Sequence, residues 1–161
     1  LVVNHGRSPS LESMQLGSNL RMSEVSAAIG TVQLSHLDSW VRRRREIAEI
    51  YHQAFADHHL ISTPKVRPGA KHAWHQYCLS TEYPDELVAH LDQHGIDARR
   101  YYVTPCHRQN VFAKHPQHKA ILPVTATLSS TLVAIPVMHE LRDDEVERVI
   151  AAVTSFSTPQ H

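Results

Sequence analysis

Asn19 and Arg21 are the residues of this sequence best placed to do chemistry. They stand in Gly17-Ser18-Asn19-Leu20-Arg21, a stretch of turn residues that leads directly into a helical period. The first backbone N–H groups of a helix are unpaired. A polar loop at that point is therefore a ready anion site, to which an amide and a guanidinium add donors. The same residues serve ordinary capping, and their types alone leave both roles open.

Other chemistry-bearing sets are less complete. His72 and His75 are three apart, but no acidic or cysteine partner stands nearby at zinc-ligand spacing, which leaves solvent-facing or cross-strand packing roles. No other ligand-spaced cluster is present, so no metal site is expected. Cys106 and His107 are adjacent. On an extended backbone neighbouring side chains point to opposite faces, so they make no Cys/His nucleophile pair without an unusual turn. Walker, GxGxxG, HExxH and GxSxG patterns are absent. The run Arg42 to Arg45 fans around more than half of a helix circumference, and Glu46 and Glu49 partly offset it. A solvated face with one arginine free for an interface is expected there, rather than nucleic-acid recognition.

The elements that must position these residues follow from periodicity. From Ser23 to about His58, apolar residues recur at three- and four-residue steps: Val25, Ala28, Ile29, Val32, Leu37, Val41, Ile47, Tyr51, Ala54 and Phe55. Ser23 suits the N-cap and Glu24 the first turn; Gly30 costs roughly 1 kcal/mol against alanine. One long helix and two helices bent near Ser35 to Ser39 both satisfy the pattern. Leu60 to Gly69 reads as a linker with two prolines. Strands are predicted over 73–81, 96–104 and 132–137, the last ended or kept at an edge by Pro136. Helices are predicted from Pro84, with Gly95 at C′, and from Arg142 to Phe156, with short ones at 111–115 and 125–130. The fold class is α/β (α+β): a long linking helix, then a small sheet of about three strands covered on one face by helices.

Composition limits the function classes. Hydrophobic residues make up 42% and charged residues 20% of the 161, which is globular rather than disordered. Sixteen Lys plus Arg balance sixteen Asp plus Glu, so the formal net charge of zero implies no long-range attraction to nucleic acid or anionic membrane. The fourteen histidines make that charge sensitive to pH between roughly 5 and 8. No apolar run approaches the roughly 20 residues of a membrane span, and no signal peptide is visible. Cys78 and Cys106 are far apart and read as reduced thiols of a cytoplasmic protein. The chain opens on Leu1-Val2-Val3, as if partway through an element, and the later part of something larger is expected.

Beyond these readings the sequence resembles a known family. The residues that carry the likeness are Asn4-His5-Gly6, Gly17-x-Asn19-x-Arg21-Met22, Ala27-Ala28-Ile29-Gly30, Gln33-Leu34, Leu37, Arg44-Arg45-Glu46-Ile47-Ala48 and Tyr51. They continue with His72-Ala73-Trp74-His75-x-Tyr77, Gly95-Ile96, Tyr102-x-x-Pro105-x-His107 and Ile135-Pro136. In this order they resemble the C-terminal part of the DegT/DnrJ/EryC1/StrS family, pyridoxal-phosphate-dependent sugar-nucleotide aminotransferases of fold type I. The resemblance implies that residues 1–40 are the tail of the large cofactor-binding domain and the start of the long helix, and 41–161 the small domain. It implies a cytoplasmic homodimer of polysaccharide biosynthesis. Its substrate would be a nucleotide-linked keto-sugar, its amino donor glutamate or glutamine and its cofactor pyridoxal phosphate, with no nucleic-acid or membrane partner.

By the same resemblance Asn19 would bind the cofactor phosphate of the neighbouring subunit, and Arg21 would support that loop or the substrate's anionic end. His107 would stand on the substrate side or be structural. His5 would lie near the dimer interface, and His72, Trp74 and Tyr77 would be small-domain structure. In the family the Schiff-base lysine, the aspartate on the pyridine nitrogen and the ring-stacking aromatic precede Asn4-His5-Gly6. None of Lys65, Lys71, Lys114 and Lys119 stands in that lysine's context, so no catalytic residue is assigned. The alternative is a non-catalytic regulatory or structural domain of the same ancestry. Two departures stand out: Cys106 replaces a usual leucine, and Thr81-Glu82-Tyr83 forms a shortened loop.

Overall fold

A computed structural model describes residues 10, 12, 14–18 and 22–158. The chain divides into two compact units, Leu1–Ser39 and Trp40–His161. Helix α1 spans Glu24–Ala54. Ser23 caps it: the hydroxyl accepts the Ser26 N–H at 3.1 Å. No break occurs between Ser35 and Ser39. Their hydroxyls donate back to the Val32 and His36 carbonyls at 2.7 Å, which satisfies both groups inside the helix. The apolar stripe is not uniformly buried. Val25, Ile29, Val32 and Leu37 are exposed, whereas Ile47, Ala48 and Tyr51 are buried.

The second unit holds the core. Strand β1 (Tyr77–Ser80) leads to α2 (Pro84–Gln93), then three short 3-10 turns, α3 (Pro123–Thr131), β2 (Leu132–Ile135) and α4 (Asp143–Thr154). The two strands pair antiparallel, with Tyr77 opposite Ile135 and Ser80 opposite Leu132. Single bridges extend the ribbon on both sides, Ser62 to Ser80 and Arg99 to Ala134. Tyr77 and Leu79 alternate inward from β1, while Val133, Ala134 and Ile135 are all buried in β2, as a central strand requires. Leu87 and Leu91 of α2 and Val146, Val149 and Val153 of α4 stand at helical spacing and close the core with Tyr51 and Phe55.

Two of the expected strands are shorter. The run 96–104 pairs only at Arg99, because Tyr101, Tyr102 and Val103 are exposed and have no buried face to pack on. The run 73–81 begins pairing at Tyr77, because Trp74 takes φ +50°, outside the extended region. The third strand stops at Ile135, before Pro136, as the proline requires. Among the short helices, the expected 111–115 turn lies at Asn110–Phe112 in 3-10 form, and 125–130 widens to α3.

Helix α2 ends as its sequence dictates. The Gly95 N–H donates to the Asp92 carbonyl and the Ile96 N–H to the Leu91 carbonyl, both at 2.9 Å, with Gly95 at φ +71°. A Cβ at Gly95 would meet only the Arg148 guanidinium, at an ordinary 3.7 Å, so strain and not collision sets the cost of Gly95→Ala. The expected loss is about 1 kcal/mol, read from the midpoint of urea unfolding.

His58 makes stability sensitive to acid. Its Nδ1 accepts the Leu60 N–H at 3.3 Å. Burial, and then the neighbouring His59, hold its pKa below the usual 6.5, against the opposing pull of the nearby Val153 and Phe156 backbone. The folded state thus favours the neutral ring. Its contribution is present above the unfolded pKa of about 6.5 and is lost as pH falls through the lower folded value. Melting temperatures measured from pH 8 to pH 5 are expected to fall less steeply in His58→Gln than in the parent.

Candidate active-site wall and its family

After Arg99 the chain leaves the sheet and returns through 3-10 turns at Cys106–Arg108, Asn110–Phe112 and Pro116–Lys119 to α3. This loop and α3 enclose a concavity of about 270 Å³ lined by Pro105, His107, Arg108, Ala120, Ile121, Leu122, Pro123, Ala126 and Ser129. His107 is half-buried, and its imidazole has no hydrogen-bond partner among the described residues. The Arg108 Nη2 reaches the Ala120 carbonyl only at 3.4 Å, which leaves most of its donors for other partners. Two cationic or donor groups over an apolar floor suit a ligand that carries both an anionic end and a carbon face.

Arg100 fixes that wall. One Nη donates to Asp85 at 2.7 Å, and the other to the Ser129 and Ser130 carbonyls at 3.2 and 3.0 Å. It ties the first turn of α2 to the last turn of α3, where a cation complements the helix dipole. Sequence reading did not single out Arg100, because nothing in the run Arg99-Arg100-Tyr101 separates the arginine that turns inward from its exposed neighbour.

Asn19, Arg21 and His5 lie outside the described residues. Cys106 is exposed and unbridged, Cys78 is half-buried with its thiol pKa pushed up by burial, and neither forms a disulfide. Among the described residues no group of three His, Cys, Asp or Glu side chains could hold a metal ion. No helix among them is long and apolar enough to cross a membrane.

The arginine run proves less solvated than expected. Arg42 is exposed, but Arg43 donates to the Leu141 carbonyl at 2.9 Å and to Asp143 at 2.6 Å at the start of α4. Arg44 lines a second concavity of about 350 Å³, with its Nε buried and unpartnered among the described residues. Arg45 donates to the His72 carbonyl at 2.8 Å. The fanned geometry sends each side chain to a different neighbour.

A family model for DegT/DnrJ/EryC1/StrS aminotransferases matches residues 1–154. The chain belongs to this family. Among its relatives, the "Pleiotropic regulatory protein" of Geobacillus stearothermophilus is 34% identical over 94% of the chain and 41% of its own length. The dTDP-3-amino-3,4,6-trideoxy-alpha-D-glucose transaminase of Streptomyces venezuelae is 31% identical over 96% of the chain and 41% of its own length. The crystal structure of S. venezuelae DesV in complex with a ketimine intermediate superposes with a TM-score of 0.89 at 30% identity, covering 98% of this chain and 43% of that one. The chain thus spans about two fifths of the length of the curated relatives it matches. The mixed fold of helices and a small sheet is that of the aminotransferase neighbours.

Within this family segment, no described lysine has the setting of a Schiff-base lysine. Lys65, Lys71, Lys114 and Lys119 are all exposed. The described residues therefore do not make a pyridoxal-phosphate site by themselves.

Proposed function

We propose that this chain is the C-terminal part of a pyridoxal-phosphate-dependent aminotransferase that moves an amino group from glutamate or glutamine to a nucleotide-linked keto-sugar. The observation that carries this reading is the match to a dTDP-sugar transaminase along 96% of the chain. Residues 1–40 would belong to the large domain, with Asn19 and Arg21 at the cofactor phosphate of a neighbouring subunit. Residues 41–161 would form the small domain, with His107 on the substrate side. Pyridoxal phosphate would supply the electron sink, from residues that precede this segment in the family. The exposed residues Val25, Ile29, Val32 and Leu37 support a homodimeric or larger assembly, since an apolar stripe of this kind is rarely left bare. Cytoplasmic sugar-polymer synthesis is the setting this reading implies.

A second reading has its own support. The relative that is 34% identical carries a regulatory name. In that reading the domain binds without catalysing. The test is to express the longest open frame that contains this segment and assay amino transfer from glutamate to a dTDP-linked 3-keto-sugar, beside the 161-residue chain alone. Transfer by the longer protein, lost when Asn19 is changed to Ala, supports the aminotransferase. A longer protein that has no Schiff-base lysine and transfers nothing supports the regulatory reading.

A further inference from the structure

A groove of about 770 Å³ runs along α1 from Arg45 to His52 and is closed by the segment from Thr63 to Trp74. It is separate from the His107 concavity and shares no residue with it. Its charge is predominantly positive. Arg45, Lys65 and Lys71 line it, and none of them forms an ion pair among the described residues. The one lining carboxylate, Glu49, already accepts the Gln53 side-chain amide at 3.0 Å. In a chain whose charges balance overall, three cations against one carboxylate around one concavity are a local excess of positive charge.

The wall of the groove is also strained and pinned. Trp74 is buried at φ +50°, a conformation that bulky side chains adopt only when their surroundings impose it. Arg45 Nε holds the His72 carbonyl at 2.8 Å, and His72 Nδ1 accepts the Trp74 N–H at 2.9 Å. The His72 ring lies against the indole at 4.1 Å, with His52 and Tyr77 on its other sides at 5.5 and 5.2 Å. Because Nδ1 is the acceptor, a neutral His72 carries its proton on Nε2, where it is a free donor. The clasp uses only the Nε of Arg45 and leaves its Nη pair available. His52 Nε2 meets the Pro64 carbonyl at 2.8 Å, which ties the lysine-bearing segment to α1.

We propose that this groove binds a phosphate-bearing small molecule, held by Arg45, Lys65, Lys71 and His72 Nε2. A carboxylate offers two oxygens to this set. A phosphate or diphosphate group offers more acceptors and more charge, and suits both the guanidinium fork and the ammonium point charges. The hydrogen bonds that hold Trp74 in its left-handed conformation then also keep His72 and Arg45 together at the wall. This site is independent of the aminotransferase reading.

The test is titration of the full 15N-labelled chain with inorganic pyrophosphate at constant ionic strength. The expected result is saturable shifts confined to the backbone of 63–74 and the Trp74 indole, weakened by added salt. Lys65→Ala/Lys71→Ala is expected to weaken binding by about tenfold or more, since both substitutions remove charge-assisted contacts. Lys114→Ala/Lys119→Ala, on exposed residues outside the groove, is expected to leave binding unchanged. Competition by glucose 1-phosphate at the same residues would assign the site to phosphate esters, and binding of inorganic phosphates alone to free phosphate. Non-saturable shifts, or equal weakening by the two double variants, would overturn the proposal.

Discussion

Tyr51→Ala is expected to lower the stability of the second unit by about 3–5 kcal/mol, the usual range for a large buried aromatic cut to alanine. Tyr51 is fully buried near the end of α1, stacked on Phe55 at 5.6 Å and edge-on to Tyr77 at 5.2 Å. Its hydroxyl donates to the Pro136 carbonyl at 2.9 Å, just past the end of β2. The substitution therefore opens a cavity between helix and sheet and strands a carbonyl. Tyr51→Phe keeps the ring and loses only the hydrogen bond, which should cost about 1–2 kcal/mol. Urea unfolding followed by circular dichroism separates the two. Equal midpoints for both variants would mean that the ring is not what joins α1 to the sheet. Burial also pushes the Tyr51 hydroxyl above the ordinary phenol range, so the folded state keeps it protonated. That contribution is present below the unfolded pKa of about 10 and declines as pH rises beyond it.

Such a substitution is decisive because Tyr51 joins the two kinds of element that the sequence announces. Helices were legible: Ser23 caps α1, Gly95 closes α2, and Val146, Val149 and Val153 form the buried face of α4, each through a local rule of spacing or capping. Strands were legible only where both neighbours and burial agreed. Residues 101–103 have β-prone side chains, but no partner strand takes them, and pairing partners are not local information. The left-handed Trp74 had no signal at all, since the motif around it reads as ordinary strand. The candidate site was partly legible. His107 entered through the family resemblance and not through its own spacing, whereas Arg45 and Arg100 act through contacts across 27 and 29 residues, Arg45 with His72 and Arg100 with Ser129.

Arg100→Met is expected to loosen α3 and with it the wall that faces His107. Helix α3 buries none of its residues, so packing does not hold it in place. Its last turn is instead held by the Arg100 bonds to the Ser129 and Ser130 carbonyls and by the Thr81 N–H, which donates to the Thr131 carbonyl at 3.1 Å. The Arg100 side chain is 16% exposed, and its bond to Asp85 at 2.7 Å is charge-assisted. Its Nε is buried without a partner among the described residues, which offsets part of the gain. The net loss should be roughly 2–3 kcal/mol, concentrated where the carbonyls are released. Hydrogen exchange is the discriminating measurement. Amides of 123–131 should exchange faster while those of α2 and α4 keep their protection, because the core does not depend on this arginine. Arg100→Lys keeps the charge but lacks the fork, so it should hold Asp85 and release the carbonyls, with an intermediate effect. If Arg100→Met instead raised exchange uniformly, Arg100 would be a general stabilising residue. The shape of the His107 concavity would then be set by the loop itself.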